Sequence, residues 1–152
     1  MSTIEKTIGA SREKKLDIRL GRVLLAAVLA EAAVILVLVA ITQTYSLFIA
    51  PGLTNAEYSE FGQLAGYYVA PAAGAVSTFG MVLWLARALK SNFVANGILT
   101  GVAGVLLTVG FLATAKPEHR LMYLISFVLR IVGGYLGGLV SQKRAEFGKR
   151  VS

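Results

Sequence analysis

The sequence predicts an all-α polytopic membrane protein, a four-transmembrane-helix bundle with both termini in the cytoplasm. Three observations predict it. The apolar residues gather into four long runs, and long apolar runs are the signature of membrane spans. Charged residues make up only 15% of the 152 residues, against about 25% in soluble domains. Lys and Arg cluster in alternate gaps between the runs, the asymmetry that orients helices in a bilayer.

The N-terminal segment, 1–22, carries Lys6, Arg12, Lys14, Lys15, Arg19 and Arg22. Ser11 is placed to cap a short helix with Leu16, Leu20 and Val23 on one face. That helix would rest on anionic lipid; the alternative is a solvated basic flank that only sets orientation. The transmembrane domain covers 23–140, with spans at about 23–45, 64–89, 94–114 and 121–140, and a basic tail occupies 141–152.

Val23 to Ile41 is apolar apart from Glu31 and spans roughly 28 Å as a helix, enough for the hydrocarbon core. The long basic lead and the lack of a small-x-small cleavage site favour a retained span over a cleaved signal. Pro51-Gly52 marks a turn, and Thr54 with Glu57 has the spacing of a capping box, so a helix restarts there. Pro71 in the second span removes a backbone donor and should kink the helix. Arg87 to Asn92 forms a short basic loop, and Lys116 to Arg120 forms a tight polar turn.

The N-terminal segment, the Arg87 loop and the tail hold six, two and four Lys or Arg, whereas the other two loops hold zero and two. The first three therefore face the cytoplasm. An even number of spans independently returns the chain to its starting side. The expected location is a bacterial plasma membrane. The expected partners are anionic lipid headgroups at the cytoplasmic face and a possible second copy of the chain. The net charge of +7 accompanies apolar runs rather than a soluble basic patch, so no nucleic-acid partner is expected.

Glu31 and Arg130 carry the most information. A charge at mid-membrane costs about 2.5–3.5 kcal/mol on insertion scales, so such residues turn inward and find partners. Glu31 is nine residues from Arg22 and Arg130 is ten from Val140, which puts both roughly 14–15 Å from the cytoplasmic end. Opposite charges at one depth predict an ion pair and make the first and last helices neighbours. The pair would fix helix register. In the alternative, Glu31 and Arg130 form an intramembrane transport site.

Gly97 and Gly101 on span three, and the interleaved Gly133/Gly137 and Gly134/Gly138 on span four, have the small-residue spacing that lets membrane helices approach closely. They predict tight packing of the third and fourth spans, inside one bundle or across a homodimer face.

Catalytic equipment is sparse. There is no Cys and one His, His119, which rules out the usual zinc sites; His119 reads as a solvated turn residue. Ser126 is a nucleophile candidate by proximity alone, without an elbow motif. No phosphate-binding or dinucleotide fingerprint occurs. No catalytic residue, metal or cofactor is expected. Trp84, Tyr67 and Tyr68 read as interfacial or packing aromatics.

Trp84-Leu85-Ala86-Arg87, Asn96-Gly97-Ile98-Leu99-Thr100-Gly101 and the glycine run before Lys143-Arg144 resemble a loose group of small, uncharacterised four-helix bacterial membrane proteins. The resemblance covers about the last half of the chain and implies no activity. Leu29-Ala30-Glu31 resembles the neighbourhood of the first-helix Glu in small multidrug resistance transporters. The chain departs from that family in its longer N-terminal segment, in Arg130, and in lacking the family's other aromatic landmarks. The reading is a structural or accessory membrane protein, with a small transporter or channel as the alternative.

Overall fold

Four helices account for nearly all of the fold. The computed structural model describes residues 18–114 and 117–151. The helix expected after Ser11 lies outside the described residues. Helix α1 is Leu20–Thr44, continued by a π-helical turn, Tyr45–Ile49. Helix α2 is Asn55–Ala86, α3 is Phe93–Thr114, and α4 is Arg120–Val151, preceded by a 3₁₀ turn at Pro117–His119. All four are long and apolar enough to cross a membrane.

The helices run antiparallel in sequence order. One end of the bundle gathers Leu20, Arg87 and Lys143 and is called the basic end here; the other gathers Thr44, Thr54 and His119 and is called the distal end. Local chemistry sets the helix boundaries. The capping box forms at α2: the Thr54 amide donates to Glu57 Oε2 at 2.7 Å, and the Glu57 amide donates to Thr54 Oγ1 at 3.4 Å. Helix α2 therefore starts nine residues before the apolar run at Leu64. Helix α4 likewise runs past Val140 through Lys143, Arg144 and Lys149, since no Gly-Pro signal stops it. Helix α2 continues uninterrupted through Pro71.

The connector between α1 and α2 is stapled by Tyr58, whose hydroxyl donates to the Ala50 carbonyl at 2.8 Å and accepts the Leu53 amide at 3.2 Å. Gly52 takes a positive φ of 93° in this turn, a backbone region that side-chain-bearing residues seldom enter. Tyr45 and Phe61 stack beside it with ring centroids 3.7 Å apart.

Helix α1 packs along α2 and α3, α4 packs along the same two helices, and α1 and α4 lie across the bundle diagonal. This corrects the expectation that the first and last helices are neighbours. The reason lies in the glycines of α4, which serve two faces. Gly134 and Gly138 lie against α3 at Gly97 and Val94, while Gly133 and Gly137 lie against α2 at Ala75, Phe79 and Val82. A Cβ on Gly138 would come within 2.7 Å of Val94 Cα, so only hydrogen fits. The third and fourth helices pack closely, as expected, and all six singled-out glycines are consumed inside the bundle.

The basic half is closed by small and branched side chains: Val23, Ala26 and Ala27 of α1 meet Leu85 and Leu89 near the end of α2 and Ala103 of α3. Asn96, fully buried on α3, reinforces this end. Its Oδ1 accepts the Arg19 amide at 3.1 Å, and its Nδ2 donates to the Asn92 carbonyl at 2.9 Å. Helix α1, which has no side-chain cap of its own, thus receives one from another helix. Hydroxyls inside the apolar helices donate one turn back, Thr100 to Asn96 and Ser141 to Gly137, which satisfies them without water.

Candidate functional site

Arg130 reaches from α4 across the centre of the bundle to Glu31 on α1, and Nη1 meets Glu31 Oε1 in an ion pair. The two side chains cover the diagonal distance that the backbones leave open. Two glycines make this possible. A Cβ on Gly74 of α2 would lie 2.9 Å from Arg130 Nε, and one on Gly104 of α3 would lie 3.2 Å from Glu31 Oε1. The charged groups pass through a slot whose walls are backbone.

The Arg130 side chain is 5% exposed and that of Glu31 is 15% exposed. Such a pair is expensive to desolvate and holds only with close geometry and further hydrogen bonds. Arg130 Nε has no hydrogen-bond acceptor among the described residues. Its guanidinium therefore has donor capacity beyond what Glu31 uses.

The pair forms the floor of a cavity of about 1080 Å³ that occupies the distal half of the bundle. Its walls come from all four helices. Ile35 and Leu38 of α1 and Phe127 of α4 supply apolar surface, and Tyr67, Thr108, Tyr123 and Ser126 supply polar groups. Thr42, Tyr58 and His119 also line it, at the distal end. Thr108 donates its hydroxyl proton to the Gly104 carbonyl at 2.9 Å, which leaves the oxygen free to accept. Pro71 lines the same wall and deprives the Tyr67 carbonyl of its usual donor four residues on, adding an acceptor there.

His119 is half-buried rather than solvated, because its ring lies against Tyr67 with centroids 4.7 Å apart. Seven residues of largely helical chain separate it from Ser126, roughly 10 Å, too far for direct proton transfer between the two side chains. Both side chains line the cavity separately.

The sequence brings Glu31 and Arg130 forward, marks Gly74 only as a small packing residue of span two, and does not mark Gly104; the roles of both glycines depend on which helices flank the diagonal. Ala70 and Gly74 share the small-residue spacing of the packing glycines, so spacing alone cannot distinguish a slot for a guanidinium from a helix contact. Asn96 left a fainter signal, a polar residue one turn into an apolar helix.

No protein-family model matches the chain, and comparison with curated proteins and with solved structures likewise finds no match. The functional reading rests on the geometry.

Proposed function

We propose that this chain is an integral membrane protein with cytoplasmic termini whose distal cavity binds a small, largely apolar solute, the step that a small carrier requires. The observation that carries this reading is the cavity over the ion pair. Its volume of about 1080 Å³ is large enough for a drug-sized molecule, whose sites are typically about 300–1,000 Å³. Intramembrane ionisable residues commonly mark solute or ion pathways, and here they sit at the base of one. The floor is neutral as a pair, and Arg130 Nε, the donor without an acceptor, is buried in the slot beside Gly74 rather than in the cavity. The cavity suits an uncharged or zwitterionic solute with an apolar body and a polar group that meets Tyr67, Thr108, Tyr123 or Ser126 on the wall. No covalent chemistry is assigned to it.

The chain has no Cys, so a single introduced Cys is a unique reporter. Ser59→Cys at the mouth and Ser126→Cys in the wall are exposed to a membrane-impermeant maleimide, with Ser91→Cys as the marker of the basic end. Ser59→Cys and Ser126→Cys should label from one side of the membrane and Ser91→Cys from the other. Labelling of Ser59→Cys without Ser126→Cys would remove the solute site. The pair would then act only as a lock on helix register, a reading supported by the slot between Gly74 and Gly104.

A further inference from the structure

A second cavity, of about 540 Å³, lies at the basic end between the C-terminal turns of α2 and the extension of α4. Gly80, Leu83 and Trp84 line its apolar part, and Arg87 and Arg144 supply its charge. The two cations come from different helices, Arg87 from the C-cap of α2 and Arg144 from the fourth residue beyond Val140. Among the described residues no carboxylate lines this cavity. Among the described residues neither Arg87 nor Arg144 forms an ion pair, and the nearby Glu146 accepts from Gln142 at 3.0 Å.

This arrangement separates the groove into an oily part and a cationic part along the bundle axis. Trp84, 47% exposed, sits where they meet, as aromatic rings do at the boundary between acyl chains and headgroups. Free phosphate would use the two guanidinium groups but not the apolar wall. A lipid with an anionic phosphate headgroup uses both: Arg matches phosphate oxygens with paired donors, and an acyl chain covers Leu83 and Trp84.

We infer that the groove of Trp84, Arg87 and Arg144 is a binding site for one anionic phospholipid of the leaflet at the basic end. This inference rests on membrane insertion and not on the distal solute site.

Trp84 is the only Trp in the chain, so its fluorescence reports on this groove alone. The full-length protein is reconstituted into phosphatidylcholine vesicles containing a minor fraction of phosphatidylglycerol. Bromine, a contact quencher, is placed on the acyl chains of one lipid or the other. Brominated phosphatidylglycerol should quench Trp84 with about thirtyfold higher apparent affinity than brominated phosphatidylcholine, the scale expected for two cations near a surface. The Arg87→Gln/Arg144→Gln variant should lose that preference and keep its quenching by brominated phosphatidylcholine. Both side chains are exposed, so the fold should survive the change. Lys143→Gln, an exposed cation that does not line the groove, should keep the preference.

Equal quenching by the two lipids in the unaltered protein would overturn the site. So would a preference that persists without Arg87 and Arg144, or one lost equally in Lys143→Gln. Relief of quenching by added inorganic phosphate would reassign the groove to free phosphate. Absence of quenching by either lipid would show that Trp84 does not face acyl chains and would overturn the site, while the maleimide labelling tests insertion separately.

Discussion

The basic half and the distal half of this bundle contain the same four helices but close differently. At the basic end Ala26 and Ala27 let α1 settle against its neighbours, and Gly97, Gly134 and Gly138 bring α3 and α4 into backbone contact. At the distal end the facing positions carry Thr42, Tyr58, Tyr67 and Tyr123, too large or too polar for that packing, and a cavity remains. The change falls at Glu31 and Arg130. Where apolar side chains can interdigitate, small residues draw helices together. Beyond Glu31 and Arg130 the larger and more polar side chains leave the cavity that the pair lines. One half is packed shut by small residues, and the other keeps a cavity above the pair.

Breaking the pair should produce the largest effect. Glu31→Gln strands a guanidinium that is only 5% exposed, and losing one partner of a buried pair costs about 3–5 kcal/mol. Arg130→Gln should cost less, because Glu31 is 15% exposed and lines the cavity, where water can relieve it. The double variant Glu31→Gln/Arg130→Gln should recover most of the loss, since two neutral groups need no charge compensation. Unfolding of detergent-solubilised protein across these three variants measures it. Equal losses in the two single variants would mean that the cavity gives Glu31 no relief and that the division into halves is drawn in the wrong place.

The next effect belongs to the closed half. A Cβ on Gly97 would run into the Gly134 carbonyl, and in a packed interface such overpacking costs about 1–3 kcal/mol or more. Gly97→Ala should therefore lower the unfolding midpoint clearly, read in the same assay. If it is neutral, the basic half is looser than its backbone contacts indicate.

These two experiments also separate what the sequence makes legible from what it does not. The four helices follow from apolar runs, and the start of α2 follows from Thr54 and Glu57, because these signals are local. The depth match of Glu31 and Arg130 is also local arithmetic along each helix, and their contact follows from it. Helix order around the bundle is not local. Gly133 and Gly134 are adjacent in sequence yet face α2 and α3 respectively, and spacing cannot say which glycine meets which neighbour. That ambiguity hid the diagonal placement of α1 and α4, and with it the slot at Gly74 and Gly104. The cavity was hidden as well, because it arises where side chains fail to fill the space between helices.

A smaller effect is expected outside both halves. Thr54→Ala removes the acceptor for the Glu57 amide and should cost about 1 kcal/mol, the usual value of an N-cap. Its consequence should be local fraying of the first turn of α2, seen as faster amide exchange at Glu57 and Tyr58. Exchange at Gly97 and Thr100 should not change, since those amides belong to the closed half.

The smallest effect tests the open half directly, and its sign is opposite. Gly66 lies inside α2 and lines the cavity, and a Cβ built there meets nothing within 4 Å. An interior helical Gly is less stable than Ala by about 0.5–1 kcal/mol, because its unfolded backbone has more freedom to lose. Gly66→Ala should therefore stabilise the protein by about that amount, whereas the same change at Gly97 destabilises it. Both are glycines inside long apolar helices, and sequence pattern does not separate them. The opposite signs would come from what each Cβ meets: backbone at Gly97, and at Gly66 the space kept open above Glu31 and Arg130. A loss at Gly66 comparable to that at Gly97 would mean that the distal half packs shut and has no room for a solute.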